Sequence, residues 1–501
     1  MTSSLPDSTA GPSRAARIRA QLNHPVIDAD GHLCEHLPTF VDYLKDTAGS
    51  TLADEFLATR RDDAWSALSP EERRRRRVWR PSWWSYPARN TLDRATAMMP
   101  ALMRERMDDF GIDFMIAYTS LGISLVLTAR DELRQAACRA LNRMLHDLCR
   151  GQEDRITPAA VIPLFTPQEA IAELDYAVEE LGMKAVMIGS NVRRPVSEGM
   201  RDTAGALVDA SWVDTLSVDS LYDYDPVWAR CMALKVAPTS HAPSTGWDVR
   251  SSVSSYVYNH IGSFASAGEA FCKGLVLGGV TRRFPELNFG FLEGGVAWAC
   301  ELYAGLVGHC DKRNRKSLTH LDPSLVDSSL LSELAGRYGG TLYDADTDLG
   351  GMAGAEDPSL IDEFAAAGIE TPLDLRARFE PNFYFGCEAD DRLAALAFDS
   401  AKLPFGARLK ATFSSDIGHW DVPDMNRVLE EAYELCEDEL LSAADFRDFT
   451  FTHPAMLHAG MNPGFFKGTA VEEEVDKLLS NRTDEHPGST AMPSGIADGK
   501  R

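Results

Sequence analysis

The sequence lacks long apolar runs, paired cysteines and an excess of basic charge, and each absence argues against one class of protein. No apolar stretch reaches the roughly 18 residues that a membrane-spanning helix needs. The 9 cysteines are scattered without a C-x-x-C pair, which is untypical of a disulfide framework or a cysteine-rich zinc site. The formal net charge is −25, so nucleic acid, whose phosphates would be repelled, is not expected as a partner.

Two further absences narrow the fold and the compartment. No G-x-G-x-x-G motif follows the first predicted strand, so a dinucleotide-binding sheet has no support. Residues 1–19 contain no apolar segment of the kind found in a secretory signal, and we therefore expect a cytoplasmic protein. The composition, with 44% hydrophobic and 25% charged residues in a chain of 501, is typical of a globular protein with a large core.

Short apolar runs alternate with helical segments along most of the chain. The runs lie near residues 26, 114, 158, 185, 237, 289, 383 and 410. Alternating strands and helices favour a parallel sheet, and eight such units are what a closed (β/α)8 barrel requires. We therefore predict an α/β chain with a TIM-like barrel over residues 21–468, with an open doubly wound sheet as the alternative.

Four segments fall outside the barrel pattern. We expect a mobile arm over residues 1–20, insertions over 50–100 and 313–375, and a disordered tail over 469–501. The first insertion holds basic and aromatic residues, namely Arg73 to Arg77, Trp79, Trp83, Trp84 and Tyr86. Such a composition is found in single-stranded nucleic-acid sites, but the acidic net charge favours an amphipathic helix end packed on the barrel or on a second subunit. Because arginine and aromatic residues are also enriched at interfaces, we expect a homo- or hetero-oligomer.

The first strand ends in a pattern of alternating carboxylates and a histidine. Asp28, Asp30 and His32 are spaced by two, so on a strand their side chains point to one face. A carboxylate and an imidazole at the carboxyl end of a strand form a mixed pair that borderline metals such as zinc accept. The alternative is a strand that ends in a polar turn and binds nothing.

Other predicted strands end in residues of the same chemical types. In a barrel, the catalytic groups lie at the carboxyl ends of the strands. The candidate residues at these ends are Asp30 and His32 after the first strand, His241 after the fifth, Glu293 after the sixth, and Asp416 and His419 after the eighth. Histidines and carboxylates that converge on one mouth predict a divalent metal site with an open position.

Five segments resemble the amidohydrolase-related family, the branch of the amidohydrolase superfamily that includes aminocarboxymuconate-semialdehyde decarboxylase and the resorcylate-type decarboxylases. They are Val26–His32, Ser240–His241, Arg283–Leu287, Leu292–Gly295 and Ser414–His419. The resemblance runs discontinuously from about residue 25 to 460 and leaves both insertions uncovered. It implies one divalent metal ion, for which zinc is the first choice and iron or manganese are the alternatives. The implied metal ligands are Asp30, His32, His241 and Asp416.

The resemblance also concerns the catalytic candidates. Glu293 stands where the decarboxylases have a histidine that activates water or handles the substrate proton, so the exact reaction stays open. A buried glutamate near a cation can serve as a base, and the alternative is a structural role at a tight turn. His260 is interpreted as lining the pocket, ligating a second metal or making a structural hydrogen bond, and His419 as holding Asp416. Lys184 precedes the fourth strand, at the wrong end of the barrel to bridge two metals, so a single metal is favoured.

Three functions are compatible with these residues. The first is a metal-dependent hydrolase or non-oxidative decarboxylase that acts on a small carboxylated or aromatic compound. The second is an iron-dependent oxygenase on the same fold, with His260 and Glu293 as additional ligands. The third is a non-catalytic, metal-bound subunit of a hetero-oligomeric enzyme, for which the tryptophan-rich insertion is the motivation.

Overall fold

Eight strands of the protein form one parallel sheet. The computed structural model describes residues 11–62, 65–81, 89–196, 200–201, 207–208, 210–244, 247, 250–314, 316–322, 325–340 and 362–485. The sheet strands, numbered in chain order, are β1 Ile27–Leu33, β2 Phe114–Thr119, β3 Ile156–Ile162, β4 Ala185–Ile188, β5 Pro238–Ser240, β6 Phe289–Phe291, β7 Phe383–Cys387 and β8 Lys410–Phe413. Each of the eight apolar runs in the sequence has become one of these strands.

The strands pair in sequence order and the sheet curls back on itself. Each strand is parallel to the next from β1 to β8. Past the end of β8, the amide of Asp416 donates to the carbonyl of Asp30 at 3.0 Å, and the amide of His32 donates to the carbonyl of Ile417 at 2.8 Å. These two bonds join the first strand to the segment after the last. The predicted (β/α)8 barrel is therefore confirmed.

Helices flank the barrel strands. Before β5 they are Arg14–Gln21, Leu37–Ala48, Ser50–Asp62, Pro70–Arg76, Thr91–Met98, Pro100–Phe110, Ser120–Leu125, Asp131–Cys149, Pro167–Asp175 and Asp225–Leu234. After β5 they are Tyr256–His260, Ser263–Leu277, Val280–Arg283, Ala297–Arg313, Ser328–Tyr338, Glu363–Ala366, Pro372–Phe379, Val428–Glu437, Ala443–Arg447, His453–Ala459 and Glu472–Glu485. Among the described residues, no helix combines the length and apolar character needed to cross a bilayer.

Shorter elements complete the described chain. Two small antiparallel ribbons pair Val192–Pro195 with Ser211–Asp214 and Met200–Arg201 with Leu207–Val208. The three-ten segments are Trp65–Ala67, Ser317–Leu321, Arg392–Phe398, Pro404–Gly406 and Met425–Arg427, and Tyr176–Glu180 and Asp448–Thr452 are π-helical. Asp391 caps the three-ten segment Arg392–Phe398 by accepting from the amide of Leu393.

Strand β1 is buried on both faces, as expected of a barrel strand covered by helices outside and side chains inside. Its pairing with β2 shifts register between Asp28 and Gly31. A Cβ on Gly31 would lie 2.5 Å from the sulfur of Met115 and 2.8 Å from a carboxylate oxygen of Asp28. Only glycine fits this close approach, and the irregularity presents Asp30 and His32 together at the carboxyl end of the strand.

Both segments expected to be mobile or disordered contain a helix. Arg14–Gln21 is a helix that begins at Ser13, buries Ala15 and Ile18, and carries Arg14, which pairs with Glu430 and Glu437. Glu472–Glu485 is also a helix, which Val475 anchors in the core. The structure therefore differs from the expected arm over 14–20 and from the expected tail over 472–485, and residues 1–10 and 486–501 lie outside the described residues.

The first insertion is helical next to its arginine run. Ser69 and Glu72 form a capping box at the start of Pro70–Arg76. The guanidinium of Arg73 lies 3.4 Å from the ring centroid of Trp65, and no ion pair to Glu71 or Glu72 is formed by the described arginines of the run. Trp83, Trp84 and Tyr86 lie outside the described residues.

Candidate metal centre

Four predicted ligands meet at the carboxyl ends of β1, β5 and β8. Asp30, His32, His241 and Asp416 are each at most 2% exposed. The Nε2 atom of His32 lies 3.2 Å from Nε2 of His241, 3.3 Å from Oδ1 of Asp416 and 3.4 Å from Oδ1 of Asp30. The Nε2 atom of His241 lies 3.6 Å from Oδ2 of Asp30. The barrel thus brings residues that are almost 400 positions apart to one point.

Glu293 and His260 stand beside this cluster. Glu293, two residues past the end of β6, places Oε2 at 3.4 Å from Nε2 of His241. His260, at the end of the helix Tyr256–His260, has Nε2 at 3.8 Å from Oε1 of Glu293. The side chain of Glu293 is 5% exposed and that of His260 is 19% exposed. His260 therefore forms the outer wall of the site, and Glu293 lies between it and the inner cluster.

His419 is held between Asp416 and a serine that follows β2. Its Nδ1 atom lies 2.7 Å from Oδ1 of Asp416, and its Nε2 atom lies 2.9 Å from Oγ of Ser120. The imidazole also stacks on His32, with the ring centroids 3.7 Å apart. His419 is thus in contact with Asp416, His32 and Ser120 at once. The role expected of it, holding Asp416, stays a prediction.

Two site residues occupy the left-handed backbone region, which non-glycine residues rarely adopt. The φ angle is 54° at Glu293 and 53° at Asp416. Both follow the end of a barrel strand, where the chain turns sharply outward. Backbone conformations of this kind cost about 1–3 kcal/mol and are concentrated at functional sites. The turns aim both carboxylates back over the mouth of the barrel.

The charge states in the site are set mainly by burial. Burial raises the pKa of Asp30, Asp416 and Glu293 well above the usual carboxyl range, and the charges of neighbouring carboxylates add to this effect. Burial lowers the pKa of His241 to about 3 and that of His32 well below its usual value. The histidines are therefore neutral, as metal ligands must be, and the carboxylates lack a compensating positive charge.

The donor set fits a divalent cation. Oδ1 of Asp30, Oδ2 of Asp416 and Oε2 of Glu293 are buried and accept no hydrogen bond from the described residues. Ligand atoms of Asp30, His32 and His241 all lie within 4.8 Å of one another, as do those of His32, Glu293, Asp416 and His419. Buried carboxylates of this kind are normally paired or bound to a metal. Neutral imidazole with carboxylate suits zinc, iron and manganese.

The family model described as Amidohydrolase matches residues 27–315 of the sequence, which run from β1 to just past the helix Ala297–Arg313. The chain belongs to this amidohydrolase family. The matched part contains Asp30, His32, His241, His260 and Glu293, while Asp416 and His419 lie beyond it.

Solved structures with similarity to this amidohydrolase include two decarboxylases and one further amidohydrolase. A dihydroxybenzoic acid decarboxylase from Polaromonas, with bound manganese and the inhibitor 2-nitroresorcinol, is 15% identical, with 87% of this chain and 97% of that chain covered and a TM-score of 0.46. A 5-carboxyvanillate decarboxylase from Novosphingobium aromaticivorans, complexed with manganese and 4-hydroxy-3-methoxy-5-nitrobenzoic acid, is 14% identical, with 88% and 97% covered and a TM-score of 0.44. An amidohydrolase from Mycobacterium avium subsp. paratuberculosis is 15% identical, with 87% and 99% covered and a TM-score of 0.47.

Other polar residues near β1 and β4 support the site or lie away from it. Asp28 accepts hydrogen bonds from the amide of Ser415 at 2.9 Å and from that of Asp30 at 3.2 Å, so it fixes the backbone next to the ligand candidates Asp30 and Asp416. Glu35 accepts the amide of Leu121 at 3.0 Å and thereby fixes the helix that begins at Ser120. Lys184 precedes β4 and donates to the carbonyl of Phe465, far from the mouth of the barrel.

Two further histidines lie on a helix away from the site. His453 places Nδ1 at 2.8 Å from the carbonyl of Ala411 and stacks on Phe398. His458 is buried and stacks on Phe465, with ring centroids 4.5 Å apart. Both lie on the helix His453–Ala459 outside the barrel mouth.

A cavity of about 430 Å³ opens over the cluster and contains residues that the sequence analysis does not single out. Glu388 lies directly after β7, so the reasoning applied to the other strand ends would have found it. Ser120 likewise follows β2, but a lone serine carries no metal-binding signal. Asp421, in the loop after β8, also lines the cavity, and its Oδ1 atom is buried without a hydrogen-bond partner among the described residues.

Proposed function

We propose that this amidohydrolase is a metal-dependent enzyme that hydrolyses, or removes CO₂ without oxidation from, a small carboxylated or aromatic compound. The observation that carries the proposal is the convergence of two histidines and three carboxylates, all buried, at the mouth of a barrel. Four of their oxygen atoms have no hydrogen-bond partner among the described residues. A structural cluster would satisfy such atoms internally, whereas a binding site leaves them open.

Asp30, His32, His241 and Asp416 are the residues that would hold the cation. Two oxygen and two nitrogen donors favour zinc, with iron or manganese as alternatives. The two decarboxylase structures named above were solved with manganese. When bound, the cation supplies Lewis-acid polarisation of a substrate carbonyl or carboxyl group and lowers the pKa of water in contact with it.

Glu293 is the group that moves a proton. Its carboxyl group lies at the border between the inner cluster and the cavity, within 3.4 Å of His241 and 3.8 Å of His260. Burial and neighbouring carboxylates raise its pKa above the usual carboxyl range, so the group can carry a proton as well as release one. In hydrolysis Glu293 takes the proton of the attacking water and passes it to the leaving group. In decarboxylation it delivers a proton to the carbon that loses CO₂.

His260 and His419 orient the carboxyl groups of Glu293 and Asp416. His260 lies on the cavity wall and contacts Glu293, so it orients that carboxyl group toward the substrate. His419 lies 2.7 Å from Oδ1 of Asp416 and stacks on His32, so it positions that carboxyl group beside the inner cluster. Neither side chain needs to change its charge during the reaction.

The test is to assay purified, metal-loaded protein against matched amide, lactone and phenolic-acid substrates. Hydrolysis is measured as acid release, decarboxylation as CO₂ release and oxygenation as oxygen uptake. We expect turnover by one of the first two routes and a loss of at least about 100-fold in Glu293→Gln, because a positioned base contributes about that factor or more. Glu286→Gln, on the loop before β6, removes a carboxylate of the same type outside the cavity and serves as the control.

Each other outcome identifies a different function. Substrate-dependent oxygen uptake with persistent iron would indicate the iron-dependent oxygenase. A metal-loaded, folded protein without turnover on any substrate would indicate the non-catalytic subunit. Both outcomes would contradict the proposed hydrolase or decarboxylase.

A further inference from the structure

Residues 65–80 of the first insertion pack against the chain that leads into the helix Tyr256–His260. Three consecutive carbonyl groups of that chain accept hydrogen bonds from the insertion. The pairs are Ser252 with the amide of Arg80 at 2.9 Å, Val253 with the indole N–H of Trp65 at 3.1 Å, and Ser254 with the guanidinium of Arg80 at 3.3 Å. The insertion therefore holds the backbone at the start of this helix.

Asn259 returns a contact from the helix to the insertion. The residue is 8% exposed, and its Nδ2 atom donates to the carbonyl of Arg80 at 2.6 Å and to that of Ser252 at 2.9 Å. Its Oδ1 atom accepts the amide of Ser252 at 2.6 Å. A buried amide whose donors and acceptor are all bonded has a fixed orientation. Because His260 is the next residue, Asn259 ties the end of the helix that carries His260 to the insertion.

Flat side chains continue this contact into the cavity wall. The guanidinium of Arg80 lies 5.2 Å from the ring centroid of Trp65 and 6.0 Å from that of Tyr256. Tyr256 stacks on His260 with ring centroids 5.4 Å apart, and Trp420 meets both rings edge-on at 5.4 Å. Arginine and aromatic rings attract one another when they pack in this way. A displacement of Arg80 is therefore transmitted to the rings of the wall.

The helix Tyr256–His260 depends on these contacts for its position. It has five residues, and a helix of this length is not stable on its own. Val257 and Tyr258 are each 57% exposed, so this side of the helix faces solvent. Tyr256 and Asn259, each 8% exposed, form the packed side, and both contact the insertion.

We propose that residues 65–80 set the position of the cavity wall that carries His260. The positioning residues are Trp65, Arg80 and Asn259. The inference rests on the proposed function in one respect, because a displaced His260 no longer orients Glu293 and turnover then falls. It also assigns a role within the chain to basic and aromatic side chains of the first insertion.

Labelling of histidines with diethyl pyrocarbonate, followed by peptide mass spectrometry of the metal-loaded full chain, tests the position of this wall without a substrate. We expect His260, whose side chain is 19% exposed, to react several-fold faster in Arg80→Ala and in Trp65→Ala, because its packing is loosened. Arg75→Ala removes the same type of side chain at an exposed position of the helix Pro70–Arg76 and should leave the rate unchanged. Trp65→Phe keeps a ring beside Arg80 and should restore most of the protection.

Two other histidines serve as internal references. His309 is exposed and should react at the same rate in every variant. His458 is 1% exposed and should stay unlabelled as long as the barrel is folded. A Trp65→Ala protein in which His458 is labelled has unfolded, and Arg80→Ala then decides the question.

Turnover adds a readout that a general loss of stability would not give. We expect kcat/KM to fall about 10–100-fold in Arg80→Ala, because misplaced groups at a site lower the rate to this extent, while the bound metal stays at the wild-type level. In the His260→Ala background, Arg80→Ala should cause little further loss, since both substitutions act through the same side chain.

Unchanged labelling of His260 in both Arg80→Ala and Trp65→Ala would overturn the inference, and so would an equal increase in Arg75→Ala. Losses of turnover that multiply when Arg80→Ala and His260→Ala are combined would also overturn it, because the insertion would then act by another route. Faster labelling of His260 in the variants of a protein without any turnover would support the inference and contradict the proposed function alone.

Discussion

Replacing Ser120 by alanine tests how the metal ligands are held. The hydroxyl group lies 2.9 Å from Nε2 of His419, whose Nδ1 atom lies 2.7 Å from Oδ1 of Asp416. Without the hydroxyl group, the imidazole of His419 loses the contact that fixes the orientation of its ring. Loss of such an outer contact weakens metal binding about 10–100-fold, which corresponds to about 1.4–2.7 kcal/mol. Ser120 is half-buried, so the substitution leaves no sealed cavity in the core.

The assay is competition for the metal against a chelator of known affinity, together with thermal unfolding of the metal-free protein. Ser120→Ala should bind more weakly by the factor given above, while Ser120→Thr, which keeps a hydroxyl group, should recover most of the affinity. Ser124→Ala on the same helix removes a hydroxyl group that donates only to the carbonyl of Leu121, at 2.9 Å, and is the matched control. Wild-type affinity in Ser120→Ala, or equal losses in Ser120→Ala and Ser124→Ala, would refute the reasoning.

Three further substitutions address stability. Asp93→Ala leaves the buried guanidinium of Arg106 without the carboxylate that lies 2.7 Å from it. The free energy of unfolding in urea should therefore fall by about 3–5 kcal/mol, and a loss below 1 kcal/mol would contradict the burial of this pair. Gly418→Ala places a side chain on a backbone with a φ angle of 102°, and its Cβ atom would lie 2.8 Å from the carbonyl oxygen of His32. Calorimetry should therefore show that the variant is destabilised by about 1–3 kcal/mol. Burial lowers the pKa of His458 to about 3, so this side chain resists protonation in the folded state. Its contribution to the free energy of unfolding is therefore complete above pH 6.5 and is lost as the pH falls toward 3. His458→Phe should remove up to about 1.4 kcal/mol per pH unit of that slope, and an unchanged pH profile would show that His458 does not contribute.

The barrel was predictable because it follows from local patterns. Each strand is a short apolar run between helical segments, and this alternation is present on both sides of each insertion. The site followed from the same reasoning, since Asp30, His241, Glu293 and Asp416 are each found at the end of a strand, and the barrel geometry then places them together.

The remaining features depend on contacts between distant residues. The helix Arg14–Gln21 could not be separated from a mobile arm, because it is anchored by Glu430 and Glu437, more than 400 positions away. The burial of Asp421 and the acidic wall of the cavity likewise arise where three loops meet. Glu388 is different, because it follows β7 directly and was missed only because that strand end was not considered.

The central claim is that the strand-end cluster binds a divalent cation. Elemental analysis of the purified protein tests it most directly, with His241→Ala as the variant and His309→Ala, an exposed histidine on the helix Ala297–Arg313, as the control. We predict about one divalent metal ion per chain in the wild type and in His309→Ala, and a loss of most of it in His241→Ala. Wild-type protein without stoichiometric metal, or His241→Ala with undiminished metal content, would contradict the claim.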